Sequence, residues 1–215
     1  MNITLNNQNF RVFPQKALFW TEKKFLLVAD VHLGKISHFR KAGIPIPAQG
    51  INRNFQILDE LIQESSPIKL FFLGDLFHSD YNSEWELFCQ WRNSHANLEM
   101  SIVLGNHDVL PASLYQQANL ETYPEEYLDQ SICLRHSPLT VAHPQQAYVI
   151  SGHLHPCFNL YGKGRQHLRL PCFYFGKNQT ILPSFGHFTG GFAIEPESNE
   201  TIVCVSENQL IPINF

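Results

Sequence analysis

Short apolar runs punctuate the chain at Phe25–Ala29, Leu70–Leu73, Ser101–Leu104, Ile132–Leu134 and Tyr148–Ile150. Runs of this length with little polar alternation fit strands buried on both faces. Further strands are predicted near Ile3, at Phe10–Phe13 and Ala17–Trp20, and late in the chain at Cys172–Phe175, Phe192–Ile194 and Ile202–Val205. Ile51, Phe55, Leu58 and Ile62 recur at three- and four-residue spacing, which predicts a helix over about Asn52 to Glu64. Ser83 followed by Glu86 reads as a capping box for a helix carrying Trp85, Phe88 and Trp91. Pro111 opens a short helix, and Gly43 to Gly50, with Pro45 and Pro47, must be a loop. Helices alternate with strands in the first half and strands prevail in the second. That order predicts an α/β fold of two packed sheets flanked by helices. With no repeat and no linker composition, one domain over residues 1–215 is expected.

Composition narrows the setting. The 215 residues are 44% hydrophobic and 16% charged, values of an ordinary soluble globular protein. A net charge of −4 does not favour nucleic acid as partner. It does not exclude it either, because bound metal ions bring their own positive charge. The N-terminus lacks the basic and apolar regions of a signal peptide, and no apolar run approaches the roughly 20 residues of a membrane span. Five cysteines without a CxxC pair point to reduced thiols and a cytoplasmic protein.

The candidate chemistry lies directly after the apolar runs. FLLVA leads into Asp30-Val31-His32, LFFL into Gly74-Asp75-Leu76-Phe77-His78, and SIVL into Gly105-Asn106-His107-Asp108. ICL leads into Arg135-His136, and YVIS into Gly152-His153-Leu154-His155. Ligands of open α/β sheets gather beyond the carboxyl ends of the strands, so parallel strands would bring these groups to one edge. Carboxylate, amide oxygen and imidazole, without thiolate, suit hard or borderline divalent cations. Carboxylates so close together would repel one another without a cation. One carboxylate can bridge two ions roughly 3.5–4 Å apart, the spacing of two-metal phosphatases and nucleases. Of the eleven histidines, His38, His95, His143, His167 and His187 fall outside the pattern. His143, in an Ala-His-Pro context, could still line the site.

The order DxH, GDxxH, GNHD, isolated His, GHxH resembles the calcineurin-like metallophosphoesterase superfamily from Asp30 to His155. The resemblance implies a four-layer αββα sandwich of two mixed sheets. It implies that Asp30, His32 and His155 hold one metal, that Asn106, His136 and His153 hold another, and that Asp75 bridges them. His107 would protonate the leaving oxygen, and Asp108 would orient its ring. Where many members have Gly, Arg135 precedes His136, which leaves His143 as the alternative ligand. Beyond the ligands, HLGK at 32–35, Phe39-Arg40, GDLFHS at 74–79, RLPCF at 169–173 and LPSFG with FTGG at 182–191 resemble the ligase-associated DNA damage response endonucleases. That family implies a Mn²⁺-dependent phosphodiesterase acting on DNA, functionally linked to an ATP-dependent DNA ligase. Lys35, Arg40 and His78 are then candidate substrate contacts, and the 184–191 stretch a wall of the site.

The expected activity is therefore hydrolysis of phosphodiesters with two divalent ions, most simply Mn²⁺, and with flexible or single-stranded DNA as substrate. The competing enzyme reading is a phosphomonoesterase or a nucleotide or dinucleoside-polyphosphate hydrolase of the same superfamily. A non-catalytic scaffold on this fold should have lost ligands or the acid histidine, and both are retained here.

Overall fold

A computed structural model describes residues 1–35, 50–78, 83–186 and 189–214. The first sheet holds seven strands in chain order: β1 (Asn2–Leu5), β2 (Gln8–Phe13), β3 (Ala17–Trp20), β4 (Phe25–Val28), β5 (Lys69–Leu73), β6 (Glu99–Val103) and β7 (Leu120–Tyr123). Strands β1 to β4 pair antiparallel. Asn6 and Asn7, at φ 46° and 62°, make the two-residue turn that a tight hairpin requires. Strands β4 to β7 pair parallel. Parallel pairing needs long crossovers, and these carry α1 (Gly50–Ser65), α2 (Ser83–Ser94) and α3 (Ala112–Gln117).

The second sheet holds β8 (Glu126–Asp129), β9 (Ile132–Arg135), β10 (Tyr148–Ser151), β11 (Pro156–Tyr161), β12 (His167–Phe175), β13 (Gln179–Ile181), β14 (Phe192–Ala193), β15 (Thr201–Ser206) and β16 (Gln209–Asn214). Its order is β14-β11-β12-β13-β10-β9-β8, with β15 paired to β12 and β16 to β15. At its centre β9, β10 and β13 run parallel.

Side-chain alternation explains why the marking runs are apolar throughout. Leu26, Val28, Leu70, Phe72 and Ile102 face a layer containing Phe55, Leu58 and Leu61 of α1, Trp85, Phe88 and Trp91 of α2, and Tyr115 of α3. The intervening Phe25, Leu27, Phe71, Leu73 and Val103 face the second sheet, meeting Ile132, Leu134, Ile150, Phe173 and Val203. Each such side chain contributes on the order of 1.5–3 kcal/mol through burial, so neither face of these strands tolerates a polar run.

The two mixed sheets form the expected sandwich, with an uneven helical covering. All three α-helices among the described residues contribute to the cluster on the first sheet. The outer face of the second sheet carries Leu170, Cys172, Ile202 and Cys204, flanked by Phe158, Leu160, Tyr174, Ile194 and Ile213, all strand or near-strand residues. Helix α1 starts two residues before the predicted Asn52. Residues 43–49 of the predicted loop lie outside the described residues, as does Arg40. The five cysteines are free thiols. Among the described residues no helix is long and apolar enough to cross a membrane.

Candidate metal centre

The motif-bearing turns follow β4, β5 and β6 of one sheet and β9 and β10 of the other, at the carboxyl ends of strands that run parallel within each sheet. Backbone hydrogen bonds tie the turns together. Asp30 N–H donates to the Gly74 carbonyl at 3.2 Å and His32 N–H to the Asp75 carbonyl at 2.9 Å. Side chains then join the sheets: His153 N–H donates to Asp30 Oδ2 at 2.8 Å. Within the first sheet, His107 N–H donates to Asp75 Oδ1 at 2.9 Å.

The backbone at these turns is unusual. Asp30 (φ 54°), His32 (49°), Asp75 (50°), His153 (69°) and His155 (49°) all occupy the left-handed region. Residues with a Cβ seldom adopt it, and such strain concentrates at functional sites. Two glycines make room for the side chains so presented. A Cβ on Gly152 would stand 2.4 Å from Asp30 Oδ2, and one on Gly74 would stand 2.2 Å from the His136 ring.

Two groups of donors result. Asp30, His32 and His155 place one ligand atom each within 4.8 Å of the others, and Asp75, His136 and His153 do the same. In the first group His32 Nε2 and His155 Nε2 lie 3.3 Å apart. In the second, His136 Nε2 lies 2.9 Å from His153 Nδ1 and 3.1 Å from Asn106 Oδ1. The Asp75 carboxylate stands between the groups, with Oδ1 3.6 Å from His136 Nε2 and Oδ2 3.8 Å from His32 Nε2. All seven ligand candidates are thus brought together.

The donor set fits bound cations. His136 Nδ1 faces the Leu73 carbonyl and His155 Nδ1 the Thr189 carbonyl, each at 3.1 Å. Those carbonyls hold the ring proton on Nδ1 and turn the Nε2 lone pair inward, the usual support for a metal-binding imidazole. Lone pairs on His136 Nε2 and Asn106 Oδ1 then face each other, which is unfavourable without a cation between them. Asp30 is fully buried, and among the described residues its Oδ1 has no hydrogen-bond partner, nor has Nδ1 of buried His32. Such orphaned groups are costly unless something absent from the protein satisfies them. No thiol belongs to either group.

Burial lowers two of the site's imidazoles. Burial, reinforced by Lys35 and the neighbouring histidines, pushes His32 down to about 2. Burial and His136 also lower His153. For His155 burial acts downward, but the Asp30 carboxylate, with Oδ1 3.5 Å from Nε2, outweighs it and raises the ring above its usual value. Lys35 is lowered by burial, with Asp30 and Asp75 pulling the other way, so its ammonium lies in the field of both carboxylates.

The remaining candidates divide. The His107 ring lies 5.4 Å from that of His32 and stacks on His78 at 5.3 Å. Its Nδ1 is 3.1 Å from the His78 carbonyl. The expected orientation of His107 by Asp108 is not what the structure shows. The Asp108 carboxylate accepts Phe77 N–H at 3.2 Å and Gly105 N–H at 2.9 Å, and so braces the turn that carries Asn106 and His107. Burial raises Asp108 to about 6. His143 does not join His136; it sits with Glu126 and Cys133. Its sequence separation from the motif strands could not reveal that. Sequence reading also missed the carbonyl partners Leu73, His78 and Thr189, because a backbone acceptor leaves no residue-type signal. Ser184, expected in a wall of the site, donates from Oγ to the Asp30 carbonyl at 2.8 Å.

Residues 23–169 match the family model described as calcineurin-like phosphoesterase. The fold is similar to the crystal structure of Pseudomonas putida nuclease MPE, with 29% identity and a TM-score of 0.83, covering 99% of both chains. It is also similar to YfcE, a phosphoesterase from E. coli, at 15% identity and a TM-score of 0.47 over 88% of this chain and 97% of that one, too distant to carry an argument. No curated protein sequence matches the chain.

Proposed function

The chain belongs to the calcineurin-like phosphoesterase family, and from that premise we propose that it is a dinuclear, Mn²⁺-dependent phosphodiesterase that cuts DNA endonucleolytically. The observation that carries this reading is the pair of oxygen and nitrogen donor groups flanking one shared carboxylate, Asp75. The likeness to a nuclease over 99% of the chain supports the choice of substrate.

Asp30, His32 and His155 would hold one ion, Asn106, His136 and His153 the other, with Asp75 between them. When bound, the ions supply Lewis-acid polarisation of a phosphoryl oxygen and lower the pKa of a coordinated water. The protein's own groups do the rest. His107 donates Nδ1–H to the His78 carbonyl, which fixes the ring. Nε2 is then the atom that delivers a proton to the departing oxygen. Asp108 holds the turn that presents His107. Lys35, beside Asp30 and Asp75, and Arg40 would meet phosphate oxygens, and His78, stacked on His107, would line the substrate's path.

The motifs shared with ligase-associated endonucleases support a place in the DNA damage response, in the cytoplasm and in functional association with an ATP-dependent DNA ligase. Flexible or single-stranded DNA is favoured because its backbone can bend into a centre set between the edges of two sheets. The test is incubation of a covalently closed single-stranded circle with Mn²⁺. Linearisation is expected. An intact circle together with brisk hydrolysis of a nucleoside monophosphate would replace this reading with a phosphomonoesterase.

A further inference from the structure

We propose that Glu126, Cys133 and His143 form a second, mononuclear site for a thiophilic divalent cation, Zn²⁺ by its chemistry, separate from the phosphoester centre. The three donors come from β8, β9 and the segment leading to β10, and their ligand atoms all lie within 4.8 Å of one another. His143 Nε2 is 3.3 Å from each Glu126 carboxylate oxygen. Cys133 Sγ is 3.5 Å from Glu126 Oε2. Cys133 is fully buried and His143 is 5% exposed. On the antiparallel β8–β9 pair Glu126 lies opposite Arg135 and Leu128 opposite Cys133. Glu126 and Cys133 are therefore diagonal neighbours on one face, close enough for their side chains to meet.

The donor chemistry differs from that of the Asp30–Asp75 centre. Sulfur, imidazole nitrogen and carboxylate oxygen together make a tetrahedral Zn²⁺ set short of one ligand. Thiolate disfavours Mn²⁺, so the two sites would sort metals by softness. A cavity of about 140 Å³ adjoins His143 and is lined also by Leu139, Val149 and Gln179; a water would complete the tetrahedral set. One thiolate and one carboxylate neutralise the dication, and Arg135, with Nη1 3.8 Å from Glu126 Oε2, leaves the loaded cluster with about one net positive charge.

Without metal the cluster is a hydrogen-bonded one. Gln145 N–H donates to His143 Nδ1 at 3.2 Å, which leaves the ring proton on Nε2, directed at Glu126. Burial and the Glu126 charge hold the Cys133 thiol up at about 12. Metal entry would move the ring proton to Nδ1, giving up the Gln145 contact, and would release the thiol proton to solvent. The Gln145–His143, His143–Glu126 and Cys133–Glu126 hydrogen bonds, all 3.2 Å or longer, are exchanged for three metal–ligand bonds, and uptake weakens as pH falls.

The experiment uses the full chain, stripped with chelator and titrated with Co²⁺ as a spectroscopic stand-in for Zn²⁺. A thiolate-to-Co²⁺ charge-transfer band in the near ultraviolet is expected, because the phosphoester centre has no sulfur to produce one. Zn²⁺ should displace the band. Cys133→Ser should abolish it and remove one equivalent of bound Zn²⁺ per chain. His143→Gln, which leaves the buried thiol in place, should weaken the band and guards against a Cys133 variant that misfolds. Absence of the band in the folded wild type, or a band that survives in folded Cys133→Ser, would overturn the proposal and leave the cluster a structural hydrogen-bond network.

Discussion

The two clusters of metal-type side chains rest on different backbones. In the phosphoester centre, Asp30, His32, Asp75, His153 and His155 all have φ between 49° and 69°. Glu126 and Cys133 sit in regular antiparallel pairing, and neither they nor His143 has a positive φ. Left-handed backbone at a residue with a Cβ costs on the order of 1–3 kcal/mol. Five such residues at one edge mean that burial elsewhere in the sandwich maintains a strained arrangement there. The Glu126 cluster gets its convergence from ordinary strand register and stands without strain as hydrogen bonds. Strain thus separates a centre whose geometry chemistry demands from one that packing alone would produce.

The largest effect expected is loss of the phosphoester centre. Chelation should abolish diester hydrolysis, with Mn²⁺ restoring it best. Asp75→Asn, which halves the charge shared by the two groups, should lower kcat/KM by roughly 10³-fold, the kinetic equivalent of several kcal/mol of lost charge stabilisation. Full activity of Asp75→Asn after stripping and Mn²⁺ repletion would remove Asp75 from its place between the ions. Next is His107→Asn, expected to cost roughly 10²–10⁴-fold on a nucleotide diester. The loss should be smaller on a p-nitrophenyl ester, whose leaving group needs little protonation. Metal content should not change, and equal losses on both substrates would make His107 a positioning group.

A smaller effect tests the crowded junction between the sheets. Gly152→Ala drives a methyl against Asp30 Oδ2 and should destabilise the fold by about 1–3 kcal/mol, as overpacking does. Denaturant midpoints would measure it, and diesterase activity should fall with it. Unchanged stability and activity would show that the Asp30 turn yields more easily than its strained backbone implies. The smallest effect belongs to the second cluster. Cys133→Ala should leave diesterase kcat/KM within about twofold, because among the described residues no hydrogen bond or ion pair of Glu126, Cys133 or His143 reaches the phosphoester centre. In metal-free protein it should lower stability by about 1 kcal/mol through the lost contact to Glu126. A large loss of diesterase activity would couple the two clusters and break the contrast between them.

Much of this was legible in the residues. The first sheet's central strands announce themselves because both of their faces are buried, so Leu70–Leu73 has no polar position to blur it. Helix α1 shows its apolar spacing because only one face meets the sheet. Strands β7, β8, β11, β13 and β16 were not predicted. LETY, EYLD, PCFNLY and QLIPIN mix polar and half-buried positions, QTI is only three residues long, and Pro156 and Pro212 argue locally against pairing. Their pairing is decided by neighbours distant in sequence, as when Cys204 of β15 meets Ile211 of β16 on one side and Cys172 of β12 on the other.

The sequence by itself determined which residue types follow which buried strands, and hence a donor set of Asp, Asn and His with one further histidine, His107, beside it. Hydrophobic periodicity and side-chain chemistry are local properties, and a strand end is a local event. Only the tertiary structure decided that His136 and not His143 stands beside Asp75, that Asp108 braces the turn while the His78 carbonyl holds His107, and that Cys133 faces Glu126. Each of those outcomes depends on backbone angles and carbonyl directions set where two sheets meet, and a residue's identity carries no record of which way its neighbour's carbonyl points.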